Sequence, residues 1–279
     1  MAKKVLIIMN PCSGTMKANK YLTDIVNIFT VNDYVSTVLT TTKRGDGRIY
    51  AKNYAKKVDL IVCIGGDGTY KGAAALNALG VPTIGVPGTI DNDIACSTYT
   101  IGFDTACNTA LDSIDKLRDT MQSHERCSVV EVMGRRAGHL ALYVGVACGA
   151  TCVLVPERKV DFERDVIEPI RRARLGGRTH FMVIVAEGVA SAYDVAKHIT
   201  EATSLDTRVT VLGHVQRGGA PSVRDRVVAT YMGYEAVRLL AEEIARATLR
   251  PMTIMEVCGT HTMQIARYGL RALLPPQIR

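Results

Sequence analysis

Two glycine-rich stretches carry the residues that could do chemistry. The first is Gly65-Gly66-Asp67-Gly68-Thr69, with Gly72 shortly after it; the second is Gly88-Thr89-Ile90-Asp91-Asn92-Asp93. Glycines let backbone N–H groups approach an anion closely, and a helix starting at such a loop adds its positive end. Asp67, Asp91 and Asp93 set carboxylates beside that anion site. Phosphates next to carboxylates call for a bridging Mg²⁺. A carboxylate left over can take the proton of an attacking hydroxyl. Together these are the parts that phosphoryl transfer to an alcohol requires. The competing reading makes GGDG a plain turn and the aspartates helix caps. Arg126, Arg135, Arg208 and Arg217 are forked donors suited to phosphate oxygens. Each precedes or follows a strand-like run, Cys127 to Val132 or Thr207 to Leu212. One such arginine alone reads as a solvated surface residue, whereas four flanking glycine-rich loops point to ligation. Glu187 follows the apolar run Phe181 to Ala186 and is either a helix cap or an acceptor for a sugar hydroxyl. His214, in Gly213-His214-Val215-Gln216-Arg217-Gly218-Gly219, is either a hydrogen-bonded structural histidine or a substrate contact.

Strands must end where these loops begin. The apolar run Leu60 to Ile64 enters the first loop, a helix-forming segment follows from Tyr70 to Leu79, and Pro82 to Val86 opens into the second. In a parallel sheet this unit puts both loops at the carboxyl ends of neighbouring strands, where open α/β sheets bind ligands. Upstream, Lys4 to Met9 reads as a strand ending in Asn10-Pro11-Cys12-Ser13-Gly14-Thr15, a small-residue loop of phosphate-binding character. Tyr21 to Phe29 is helical, Tyr34 to Thr42 a strand, Lys43 to Gly47 a turn and Arg48 to Lys56 a helix. Downstream, helices are expected over Thr105 to Met121, Asp194 to Thr203 and Arg224 to Leu240. Leu140 to Cys148 reads as a buried helix, and Phe162 to Leu175 carries Arg171, Arg172 and Arg174 on a solvated face. The alternation is that of an α/β protein with parallel sheets.

The length of 279 residues allows one large or two modest domains. The formal charge of +7 comes from 34 basic and 27 acidic residues. No basic run interleaved with aromatics accompanies it, so anionic small ligands are expected and nucleic acid is not. Eight cysteines form no CxxC pair, which suggests reduced thiols in a cytoplasmic protein. Neither a signal peptide nor a membrane-length apolar run is visible.

The opening residues resemble the catalytic domain of diacylglycerol and related lipid kinases over about residues 1 to 69, through Asn10-Pro-Cys-Ser13-Gly14, the Thr-x-x-Arg-Gly-Asp segment ending at Asp46, and GGDGT. That resemblance implies that Ser13, Gly14, Gly66, Gly68, Thr69 and their neighbours handle nucleotide phosphates. From GGDGTYKGA onward the chain is similar to ATP-dependent 6-phosphofructokinases, over about residues 65 to 240. The motifs are GVPGTIDNDI, YTIGFDTA, SHERCSVVEVMGRRAGHLAL, Val155 to Glu157, Ala186 to Gly188 and TRVTVLGHVQRGGAPSVRDR. This resemblance implies two Rossmann-like parallel-sheet layers of phosphofructokinase type, with the substrate between them. It gives the layers as residues 1–102, with 225–240 returning to them, and residues 103–224. It also implies ATP and Mg²⁺, fructose 6-phosphate as acceptor, and a homo-oligomer, a dimer or tetramer. By position, Asp67 holds Mg²⁺, Asp91 is the general base, and Thr89 and Asp93 support the transferred phosphoryl and the metal. Gly66, Gly68, Thr69 and Gly72 belong to the nucleotide loop. Met133, Gly134 and Arg135 line the reacting centre. Glu187, Arg208, His214 and Arg217 hold the sugar and its phosphate, with Arg126 and Arg208 arriving from a neighbouring subunit. Gly68 and Gly88 are the residues of the ATP-using branch. Residues 241–279, with Glu256-Val-Cys258-Gly-Thr260-His261, resemble the N-terminal part of the hydrogenase-maturation HypD family, so the chain reads as a composite. The readings left open are an active sugar-phosphate kinase, a nucleotide-binding composite without turnover, and a lipid kinase.

Overall fold

The computed structural model describes residues 3–9, 18–31, 33–43, 45–54, 57–58, 60–78, 83–121 and 125–246. Strands and helices alternate as the apolar pattern requires. The first half holds β1 (Lys3–Met9), α1 (Ala18–Val31), β2 (Tyr34–Thr40), α2 (Asp46–Tyr54), β3 (Leu60–Gly65), α3 (Asp67–Asn77) and β4 (Thr83–Pro87). These strands form one parallel sheet in the order β2-β1-β3-β4. Next come α4 (Phe103–Met121), β5 (Arg126–Val132), α5 (His139–Ala147), β6 (Cys152–Leu154) and a π-helical turn, Glu163–Ile167, that runs into α6 (Glu168–Leu175). They are followed by β7 (Phe181–Ala186), α7 (Ala192–Thr203), β8 (Asp206–Val211), a 3₁₀ turn at Gly213–Arg217 and α8 (Val223–Arg246). The second sheet is also parallel, in the order β6-β7-β5-β8. The chain divides into two units. One runs to Gly88 and adds Ile94–Thr98 and the chain from Val228 on; the other is Thr89–Asp93 with Tyr99–Val227.

In the first unit Leu6, Ile61 and Ala51 are buried together, joining β1, β3 and α2. In the second, side chains alternate across the sheet with period two and fill two cores. Cys127 and Val129 of β5 and Phe181, Val183 and Val185 of β7 pack on Val195 and Ile199 of α7 and Ile170 of α6. The intervening Val130, Val132, Met182, Ile184 and Ala186 pack on α4 and α5. On α4 the buried residues Phe103, Ala106, Ala110 and Ile114 recur at helical spacing. Truncating Ile114 to Ala would cost about 2–5 kcal/mol. The described cysteines are free thiols, and burial pushes Cys127 and Cys152 up to about 12.

The caps differ from expectation in an instructive way. α2 begins at Asp46, two residues before Arg48, because the Asp46 carboxylate accepts the N–H groups of Thr42 and Lys43 at 2.7 and 2.9 Å and the Thr42 hydroxyl at 2.9 Å. The aspartate of the Thr-x-x-Arg-Gly-Asp segment is therefore engaged by its own loop. α3 begins at Asp67, three residues before Tyr70, because Thr69 and Tyr70 donate back to the Gly66 carbonyl. Half of GGDGT is thus the first helical turn. α5 was expected to be buried. It covers the sheet with Leu140, Ala141 and Val144, but Leu142, Tyr143 and Val146 point outward, Val146 at 73% exposure. Among the described residues no helix is long and apolar enough to cross a membrane.

Candidate active site

The site is assembled where β5 and β7 end side by side. The connection from β5 runs over one face to β6, and that from β7 over the other face to β8, so the crevice between their carboxyl ends is a topological switch point. Met133, Gly134 and Arg135 leave β5 there, and Glu187 leaves β7, donating its N–H to the Val132 carbonyl at 2.9 Å. Glu187 Oε1 accepts the N–H of Arg135 at 2.6 Å and of Gly134 at 3.3 Å. The expected acceptor is therefore half engaged by the loop through Oε1. Gly134 has φ +145°, and a Cβ there would stand 2.4 Å from the Ala137 carbonyl oxygen, so only glycine fits. Arg135 is held at φ 59°, with its side chain 56% exposed. A non-glycine residue in that region is strained and marks a fixed geometry.

Beside these ends lies the loop Thr89–Asp93 of the same unit. The buried Thr100 hydroxyl donates to the Thr89 carbonyl at 2.8 Å and contacts Asn92 Oδ1 at 3.2 Å, bracing Asn92 at φ 52°. The Asp91 N–H donates to Thr89 Oγ1 at 3.2 Å. Asp91 is 7% exposed. Burial raises its pKa above the usual carboxylate range, and the Asp93 charge adds to this. Arg217 and the Thr89 hydroxyl pull the other way, and Glu187 pushes up again. Asp91 Oδ1 and Asp93 Oδ1 are both buried without a hydrogen-bond partner. Arg135 stands 4.0 Å from the other Asp93 oxygen. His214 and Arg217 project from the 3₁₀ turn after β8, both exposed.

Two expected ligands lie elsewhere. Arg126 opens β5 and Arg208 sits near the start of β8, so both are at the amino ends of their strands. At about 3.3 Å per residue, β5 sets Arg126 roughly 20 Å from Met133. Both arginines pair with Asp206, at 2.8 and 3.2 Å. Within the unit, Arg135 and Arg217 stand by the loop Thr89–Asp93, and Arg126 and Arg208 lie at the other end of the strands.

Asp67, in the first unit, opens α3, and Lys71 one turn on is 2.9 Å from its Oδ2. Gly66 caps the helix without a side-chain bond, and the positive end of α3 lies at this loop. A Cβ on Gly68 or Gly72 would meet no atom within 4 Å. The fold itself does not demand glycine there, as it does at Gly134. Ser13 and Gly14 lie outside the described residues, as do Arg44 and Cys258, Thr260 and His261 of the tail.

Among the described residues no group of three or more His, Cys, Asp or Glu is placed to hold a metal. Mg²⁺ does not need one, since it keeps several waters and takes one or two carboxylates with substrate phosphates. The orphaned oxygen of Asp93 fits that demand. Sequence reasoning missed Gln216, Thr100 and Asp225. Gln216 links Met133 to Gly213, and Asp225 accepts from Tyr99, Gly102 and Thr105 to cap α4 from α8. Burial opposes the Asp225 charge, and the bonds from Thr105, Tyr99 and Gly102 outweigh it, lowering its pKa.

Comparison with known proteins agrees with this geometry. The phosphofructokinase family model matches residues 3–240, a span that includes the stretch resembling lipid kinases. A second model, HypD, described as the hydrogenase formation hypA family, matches residues 235–279. The ATP-dependent 6-phosphofructokinase of Bacillus mycoides (strain KBAB4) is 59% identical over 183 residues, 66% of this chain and 57% of that protein. The chain thus spans little more than half the length of the curated relatives it matches. Phosphofructokinase from Saccharomyces cerevisiae superposes with a TM-score of 0.73 at 26% identity, over 87% of this chain and 41% of that one. Phosphofructokinase from Pichia pastoris in the T-state gives 0.68 at 22% identity, over 81% and 29%. With two parallel sheets, a buried aspartate at a switch point and a family match over most of its length, the chain belongs to the phosphofructokinase family.

Proposed function

We propose that this chain transfers the γ-phosphoryl group of ATP to the 1-hydroxyl of fructose 6-phosphate, giving fructose 1,6-bisphosphate and ADP. The observation that carries the reading is Asp91: buried, raised in pKa, with an unpaired oxygen, and close enough to Glu187 and Arg217 for their charges to act on it. Asp91 takes the proton of the 1-hydroxyl as the new O–P bond forms and the bond from the γ-phosphorus to the bridging oxygen of ADP breaks. A carboxylate raised in this way holds a proton better than an exposed aspartate does. Thr89 and Arg135 face the transferred phosphoryl. Met133, Gly134, Glu187, His214 and Arg217 position the sugar phosphate. Gly66, Gly68, Thr69 and Gly72, with Ser13 and Gly14, bind the nucleotide phosphates. Asp67 and Asp93 would hold Mg²⁺, which when bound neutralises charge on the phosphates.

Arg126 and Arg208 stand too far along their strands to reach Met133 in their own copy. Their place at the opposite sheet edge supports a homo-oligomer in which they complete a neighbour's sugar-phosphate site. The test is a coupled assay for ADP release from ATP and fructose 6-phosphate, on material sized by light scattering, with Asp91→Asn as control. ADP release that requires fructose 6-phosphate and Asp91 sustains the reading. A second reading is a nucleotide-binding composite without turnover. Saturable ATP binding with no Asp91-dependent release would establish it instead.

A further inference from the structure

We propose that Gln216 is the positioning residue that locks the Met133–Arg135 loop to the turn bearing His214 and Arg217. The proposal rests on the phosphotransfer reading for its consequences, but not for its geometry. Gln216 is 1% exposed, one of the largest fully buried side chains in a set otherwise apolar. Both ends of its amide are used. Oε1 accepts the Met133 N–H at 3.2 Å, and Nε2 donates to the Gly213 carbonyl at 3.1 Å. β5 and β8 stay in register up to Glu131, whose carbonyl accepts the Leu212 N–H at 3.1 Å. Past that bond the two chains leave the ladder, Met133 toward the β5 loop and Gly213 into the 3₁₀ turn at φ +53°. The Gln216 amide bridges the two diverging ends.

The amide chemistry is specific. One side chain must accept from an N–H and donate to a carbonyl at once. Glutamate of the same length accepts but does not donate when ionised. Methionine fills the volume and does neither, taking the Gln216 partner from the buried Met133 N–H and from the half-buried Gly213 C=O. Both amide bonds of Gln216 go to Met133 and Gly213. It acts through its neighbours: Met133 is set by its bond, and Arg217 is the next residue. Arg135, beside Asp93, is on the tethered loop. Cutting the tether therefore relaxes the sugar-phosphate contacts on both sides of it.

The experiment compares the full chain with Gln216→Met and Gln216→Glu in two measurements: KM and kcat for fructose 6-phosphate and ATP, and hydrogen exchange at the Met133 amide. For Gln216→Met the Met133 amide should exchange about tenfold faster or more, as loss of one buried hydrogen bond implies. KM for the sugar phosphate should rise about tenfold with KM for ATP within about twofold. Gln216→Glu should recover most of the Met133 protection while keeping part of the KM defect. If Gln216→Met folds with Met133 still protected and with the KM of the parent, the proposal is overturned. Should Gln216→Met not fold, Gln216→Glu decides it: an unprotected Met133 amide overturns the tether, a protected one supports it. A parent chain that releases no ADP would refute the phosphotransfer reading alone, because amide exchange still tests the bridge.

Discussion

Replacing Asp91 by Asn should abolish turnover and make the protein more stable. Asp91 sits 7% exposed with one oxygen unpaired, next to an Asp93 oxygen in the same condition. Its folded pKa is raised, chiefly by burial and then by Asp93. The sign follows from that direction. A raised carboxylate stabilises the fold fully below its unfolded value of about 3.9 and loses that contribution as pH rises through the folded value. Above the folded value the parent has lost it, whereas asparagine, which never ionises, keeps it. A buried charged acceptor left unpaired costs about 1–3 kcal/mol. Loss of the attraction to Arg217 offsets part of the relief. The net gain should be about 1 kcal/mol, or roughly 2–4 °C in Tm for a protein of this size class. Thermal melts followed by circular dichroism at about pH 7.5 give the difference, and melts at successively lower pH should show it shrinking as Asp91 takes up its proton. Turnover should fall about 10²–10⁴-fold. A variant that melts 2 °C or more below the parent near pH 7.5, by the roughly 2–4 °C per kcal/mol scale, would show that Asp91 is not a charge held against the fold.

Asp91→Asn mixed with Arg126→Ala offers a test of the neighbouring-subunit arrangement. Each alone should be inactive, and hybrids assembled from both should regain part of the parent rate; no recovery on mixing refutes the shared site. Thr100→Val removes the hydroxyl that braces Thr89 and Asn92, so kcat should drop about tenfold with KM little changed and stability down about 1 kcal/mol. Gly134→Ala forces a Cβ to within 2.4 Å of the Ala137 oxygen at a positive φ; Tm should fall by the equivalent of about 1–3 kcal/mol, read by thermal melt, with KM for the sugar phosphate raised. Asp225→Asn weakens the cap of α4 and should cost about 1–3 kcal/mol above pH 5. That difference should fade as pH drops through the lowered folded pKa of Asp225, because a depressed carboxylate loses its contribution on protonation.

What the sequence disclosed, and what it hid, divides along the distance between partners. Gly66, Asp67, Gly68, Thr89, Asp91 and Asp93 announce themselves because glycine and aspartate at the end of an apolar run are local signals of loop and helix start, and the structure places them at those points. The helix starts moved only by the turn that Asp46 and Gly66 supply. Gln216 and Asp225 carried no such signal. Their partners are 83 and more than 100 residues away, and a glutamine inside a glycine-rich motif looks like any solvated residue until the register of β5 and β8 is known. The α5 segment is apolar at every turn, so periodicity had no phase from which to name the side that faces the sheet. Arg126 and Arg208 show the same limit in another form. Type and flanking run marked them as phosphate ligands, but only strand direction tells the amino end from the carboxyl end. That direction separates the arginines into two pairs. Arg135 and Arg217 belong with Asp91, and Arg126 and Arg208 with the opposite edge, already neutralised by Asp206. A phosphate reaching that edge must displace Asp206 from two guanidinium groups. Asp206→Asn should therefore tighten sugar-phosphate binding if those arginines serve a neighbour, and leave it unchanged if they serve only the strand ends.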